Sequence, residues 1–262
     1  MNWLADVLRK AGLSVQELPG WQTRGHGAMS DVLGVLLHHT AGPAAGNYPS
    51  LAVVRDGRPG LDGPLANLGL ARDGTWIVIA AGVSWHAGLG KATFCPADQG
   101  NQHLIGVEAE STGRGDWTPQ QLNAYPRGVA ALLAHLNLTA SRAIAHREWA
   151  PSRKIDPAGI DMPTFRLQVA ALIPVMTGRL KPSGVFMALT DAEQAELLAL
   201  VRKLKPGVVL PGRGKTMSTT RDDHFGWAIT GAGQAADALA EVQSLRKEVA
   251  ALRAEVARLN EK

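Results

Sequence analysis

Apolar positions along the chain fall into short runs whose spacing changes repeatedly, and each change of period marks an element. Trp3 to Ala11 carries its apolar residues on one helical face, with Asp6, Arg9 and Lys10 between them, and predicts an amphipathic first helix. A loop around ELPGWQTRGHG follows. VLGVLLHH, ending at His39, is a β-branched and leucine run of strand length. The Gly- and Pro-rich stretch from Ala41 to Pro64 predicts a long loop. LANLGLARDGTWIVIAAG predicts two short strands joined by an Arg-Asp-Gly turn. A second loop, SWHAGLGKATFCPADQGNQ, leads into LIGVEAE, another strand. DWTPQQLNAYPRGVAALLAHLNL predicts a helix. Thr118 at its N-cap and Gln121 three residues later make a capping box, and Pro119 suits the first helical position. Pro126 is expected to kink it. RAIAH predicts a short strand, and DMPTFRLQVAALIPVM a helix begun near Pro163.

Strands and helices mix without strict βαβ alternation. The fold class predicted is therefore α/β, a mixed central sheet flanked by helices, over residues 1–177. Gly, Pro and Ser in GRLKPSG mark the end of this domain. Residues 178–234 read as a linker with one short helix, LTDAEQAELLALVRKLK, whose capping box is Thr190 and Glu193. Residues 235–262 give the clearest periodicity. Val242, Val249 and Val256 fall at a positions and Leu245, Leu252 and Leu259 at d positions, a pattern favouring parallel dimers, with trimers left open. Glu241 and Glu248 at g can face Arg246 and Arg253 of a partner. The seam at 239–259 predicts a homo-oligomer; a lone helix folded back on the domain is the plainer alternative.

At 262 residues, 45% apolar and 19% charged, the chain can bury a sizeable core. Its net charge of +4 is concentrated: between Arg179 and Lys215 seven basic residues face three acidic ones, 7 − 3 = +4. That fits attraction to an anionic surface or a merely solvated linker. One cysteine, Cys95, excludes an internal disulfide and a cysteine-based zinc knuckle. No run reaches the ~20 apolar residues of a membrane span. The charged N-terminus does not read as a signal peptide, which predicts synthesis in a cytosol without export. PGRGKT is not a phosphate loop, since Val209 stands where the first motif glycine belongs, and no nucleic-acid partner is expected.

His38 closes one predicted strand and His146 another, and Asp156 lies ten residues past His146. Two imidazoles and a carboxylate form the three-ligand set of a catalytic zinc site. Spacing alone does not bring the strand ends together, and a lone histidine is more often structural than catalytic.

VLLHHTAG, the ARDGT hairpin, SWHAG, LIGVE and AHREWAPSRKIDP occur in an order that resembles the zinc-dependent N-acetylmuramoyl-L-alanine amidases, which share a fold with peptidoglycan recognition proteins and many phage endolysins. The likeness covers about residues 20–175. It implies Zn2+ held by His38, His146 and Asp156, with Glu108 activating water and Lys154 steadying the oxyanion. Peptidoglycan would be the partner, cut between N-acetylmuramic acid and L-alanine of the stem peptide. Some relatives carry a tyrosine near the position of Ala66, so the burden falls on Glu108, with Glu110 the alternative on the same strand face. His39 is expected to be structural, His86 to lie on the cleft rim without binding metal, and His224 to be structural. The reading is a phage-type endolysin held in the host cytoplasm until the membrane is permeabilised. A non-catalytic peptidoglycan-binding protein and a virion-associated structural protein are the alternatives.

Overall fold

The computed structural model describes residues 1–178. The basic segment 179–234, the capping box at Thr190 and Glu193, His224 and the heptads of 239–259 lie outside the described residues.

The elements in chain order are α1 (Leu4–Lys10), β1 (Val15–Glu17), β2 (Gly34–His39), α2 (Leu51–Asp56), β3 (Gly57–Arg58), β4 (Leu61–Asp62), β5 (Leu68–Leu70), β6 (Trp76–Val78), α3 (Gly100–His103), β7 (Leu104–Ala109), α4 (Pro119–His135), a 3₁₀ turn at Ala140–Arg142, β8 (Ala143–Ala145), α5 (His146–Trp149) and α6 (Met162–Met176). Six strands make one sheet in the order β1-β6-β5-β7-β2-β8. Only β5 and β6 pair antiparallel within it; the other neighbours run parallel. The mixed sheet expected from the sequence is thus present. Both faces of β2 are covered, which is why its sequence is a continuous apolar run and not an alternating one.

Helices α1, α4 and α6 cover one face. Val35 and Leu37 of β2, Ile105 and Val107 of β7, and Val129 and Leu133 of α4 share that core. Loops cover the other face over two smaller cores, one around Leu65 and Ile79, the other around Leu36, Leu104 and Trp149. The predicted capping box starts α4: Gln121 N donates to Thr118 Oγ1 at 3.1 Å, and Thr118 N to Gln121 Oε1 at 3.2 Å. The helix continues through Pro126. In the β5–β6 turn, Thr75 N donates to Asp73 Oδ1 at 2.9 Å and Gly74 takes a φ of 84°, a conformation L residues resist.

The stretch 41–64 is not a bare loop. It contains α2 and the β3–β4 ribbon, elements of six residues or fewer that are too short to show a period. The strand β1 and the single turn α3 escape the sequence pattern for the same reason. No helix among the described residues is long and apolar enough to cross a membrane.

Candidate functional site

Strand alternation aims the site. Val35 and Leu37 face the helices and Leu36 the loops, so His38 shares the loop face and His39 turns to the helix side. On the neighbouring strand β7 the register pairs His38 with Glu108. His146 is not the end of β8, as expected, but the first residue of α5. Ala145 N donates to Glu148 Oε2 at 2.8 Å, which closes the short turn directly after the strand. Asp156 returns to the same point because its segment is clamped. Arg147 N donates to Asp156 O at 2.9 Å, the Arg147 guanidinium donates to the carbonyls of Pro157 and Ile160, and Ala158 N donates to His39 Nδ1 at 3.0 Å. His39 therefore holds the backbone beyond Asp156.

The three residues converge. His38 Nδ1 lies 3.1 Å and His146 Nδ1 3.0 Å from Asp156 Oδ2, and all three side chains are buried. One donor atom from each lies within 4.8 Å of the others. Burial, opposed by hydrogen bonding to Asp156, lowers the His38 pKa to about 4, so the ring is neutral at pH 7. Burial pushes the Asp156 carboxyl up, yet hydrogen bonding to His146 and His38 outweighs it and holds the group below the usual carboxylate range. His146 Nε2 lies 2.9 Å from the Ala87 carbonyl, which can only accept, so Nε2 donates there and Nδ1 is the ring atom that faces the carboxylate. Two imidazole nitrogens and a carboxylate oxygen converging in a buried pocket make a group that could hold a metal cation. Tetrahedral ligands at ~2.0–2.1 Å from zinc stand about 3.3 Å apart, close to the 3.1 and 3.0 Å that separate the two imidazoles from Asp156 Oδ2. This donor set fits zinc.

Glu108 and Glu110 have separate environments. Glu110 is fully buried and accepts from Thr40 Oγ1 (2.7 Å), Ser50 N (3.0 Å) and Ser50 Oγ (3.0 Å), so it pins the loop after β2. Glu108 Oε1 lies 4.0 Å from His38 Nδ1, while its Oε2 is buried without a hydrogen-bond partner. Burial raises the Glu108 carboxyl well above its usual range, the Asp156 charge adds to this, and Lys154 opposes it. Lys154 lines an open cleft of about 410 Å³ together with Leu61, Trp85, His86, His146 and Arg153, and has no ion-pair partner among the described residues. Ala66 is core, fully buried. The phenol beside Glu108 is Tyr48, whose hydroxyl donates to Glu108 O at 2.9 Å, a contact no local pattern announces. The rim position expected for His86 needs correcting. The residue lines the cleft, but only 7% of it is exposed, and its ring packs against His38.

Residues 28–159, just over half of the chain, match the sequence profile of the family described as N-acetylmuramoyl-L-alanine amidase. No curated protein matches the chain in sequence. Among solved structures, the chain is similar to the Staphylococcus aureus hydrolase AmiA in complex with its ligand (15% identity, 68% of this chain and 94% of that one, TM-score 0.49). It is also similar to a mutant endolysin from Bacillus subtilis (20%, 60% and 99%, 0.46). A third likeness is the endolysin amidase LysCS from Clostridium intestinale (17%, 60% and 95%, 0.46).

Proposed function

The chain belongs to the N-acetylmuramoyl-L-alanine amidase family, and we propose that it is a zinc-dependent member of the endolysin type, hydrolysing the amide between the lactyl group of N-acetylmuramic acid and L-alanine. The observation that carries this reading is the buried convergence of His38 Nδ1, His146 Nδ1 and Asp156 Oδ2. These residues would hold the metal. When bound, zinc supplies Lewis-acid chemistry, acidifying water toward a pKa of ~7 and polarising an amide carbonyl.

The chain's own residues do the rest. Glu108, with one carboxylate oxygen buried and unpaired, takes the proton of the attacking water and delivers it to the amide nitrogen as the C–N bond breaks. The products are a lactyl carboxylate and a free L-alanine amine. Lys154 sets its ammonium against the carbonyl oxygen as that atom gains charge. Walls from Trp85 and Leu61 flank the cleft and accept the less polar parts of the substrate. Residues 1–177 form the catalytic domain, 178–234 a basic linker suited to an anionic wall, and 239–259 a parallel coiled coil that joins copies of the chain.

The direct test is metal titration. The chain stripped with a chelator should take up one zinc per molecule and recover peptidoglycan-solubilising activity in proportion. Activity that persists in the stripped chain, or that returns without zinc uptake, would sink the reading.

A further inference from the structure

The His86 ring sits deep behind the site, and its partners form a directed chain. His86 Nε2 lies 3.1 Å from the Leu104 carbonyl, and His86 Nδ1 lies 3.2 Å from His38 Nε2. The carbonyl can only accept. A neutral His86 ring therefore carries its proton on Nε2 and offers a bare Nδ1. His38 Nε2 is then the donor, which frees His38 Nδ1 to bind a cation shared with Asp156 Oδ2, 3.1 Å away. In the reverse order His38 Nδ1 would carry its proton toward Asp156 and a bare His86 Nε2 would face the carbonyl oxygen, an arrangement closed to a metal at His38 Nδ1. No carboxylate among the described residues pairs with His86.

We propose that His86 is a positioning residue whose ring fixes His38 in the Nε2–H tautomer and so presents His38 Nδ1 to the metal. The inference rests on the zinc-site reading above.

The surroundings are built for this ring. Asn101 Oδ1 accepts from His86 N at 2.9 Å and from Ala87 N at 2.8 Å, which fixes the backbone beneath it. Gly106 on β7 makes the room: a Cβ there would stand 2.5 Å from the ring's Cγ. The adjacent Ala87 carbonyl accepts from His146 Nε2 at 2.9 Å, and Arg153 Nη2 donates to the same oxygen at 3.1 Å. One dipeptide, His86–Ala87, thus directs both imidazoles, and Arg153 steadies it. Partners of this kind are worth about 10–100-fold in metal affinity.

The test uses the full chain labelled with 15N-histidine. Long-range 1H–15N correlations of the zinc-loaded protein should show Nε2–H on both His38 and His86; a proton on Nδ1 of either ring would overturn the proposal. In zinc competition titrations, His86→Leu should bind about 10–100-fold more weakly than the unsubstituted chain. His86→Asn, whose Oδ1 stands near the lost Nδ1 acceptor, should recover most of that loss. Equal zinc affinity in all three chains would overturn the positioning role while leaving the amidase reading intact. An unsubstituted chain that takes up no zinc would instead overturn the amidase reading and this inference with it.

Discussion

Replacing Glu108 by Gln keeps the shape of the side chain and removes its ability to carry a proton. The side chain is 18% exposed, Oε1 stands 4.0 Å from His38 Nδ1 and Oε2 has no hydrogen-bond partner, so the amide enters without breaking a bond that holds the fold. A positioned proton carrier contributes about 10²–10⁴-fold to rate. At 1.36 kcal/mol per factor of ten, that is roughly 3–5 kcal/mol of transition-state stabilisation. The assay is the rate of stem-peptide release from purified peptidoglycan by the zinc-loaded variant, with zinc content measured in parallel. Stability should move the other way. Burial, reinforced by the Asp156 charge, raises the Glu108 pKa in the folded state above its unfolded value. Its contribution is therefore fully present below about pH 4.5 and is lost as pH rises through the folded pKa. In the metal-free state, Glu108→Gln should gain in Tm over the parent, and the gain should widen as pH rises. Glu110→Gln is the control. It disturbs a buried carboxylate with three hydrogen bonds, costing about 1–3 kcal/mol of stability, without a direct effect on chemistry. A Glu108→Gln enzyme within tenfold of the parent, or one that has lost its zinc, would refute the proton-carrier role.

Asp156→Ala should abolish stoichiometric zinc uptake, because two imidazoles remain without the anionic ligand; calorimetric titration showing unchanged affinity would contradict the donor set. Metal-free stability should fall on acidification. Burial holds the His38 pKa at about 4, so between pH 6.5 and 4 the unfolded chain binds a proton that the native ring refuses. Measured in the Glu108→Gln background, which removes the opposing carboxyl, Tm should drop across that window; a flat or rising Tm would contradict the burial of His38. Truncation after Ala232 should convert an oligomer to a monomer in light scattering, and an unchanged mass would refute the coiled-coil seam.

Much of the sheet was legible because its central strands are buried on both faces and read as unbroken apolar runs, as in Gly34–His39 and Leu104–Ala109. The β5–β6 hairpin declared itself through Asp73 and Gly74, and α4 through Thr118, Pro119 and Gln121. Elements of a few residues did not, since β1, α2 and α3 are held by contacts distant in sequence and carry too few positions to show a period. At the site, motif order pointed to His38, His146 and Asp156, but one dimension could not divide Glu108 from Glu110. They are two residues apart, and the difference lies in Thr40 and Ser50, which reach Glu110 alone. The place of His86 was invisible for a similar reason: its partners are the Leu104 carbonyl and the space left by Gly106, neither of which a local pattern reveals. Strand parity, Leu104 and Gly106 on the loop face with Glu108, was the available clue.

The products of peptidoglycan digestion, analysed by mass spectrometry with and without a chelator, distinguish a zinc amidase from other wall hydrolases. Intact stem peptides bearing a free L-alanine amine should be released with zinc present and be absent once it is removed. New reducing sugar ends, cleavage within the stem peptide, or release undiminished by the chelator would contradict it.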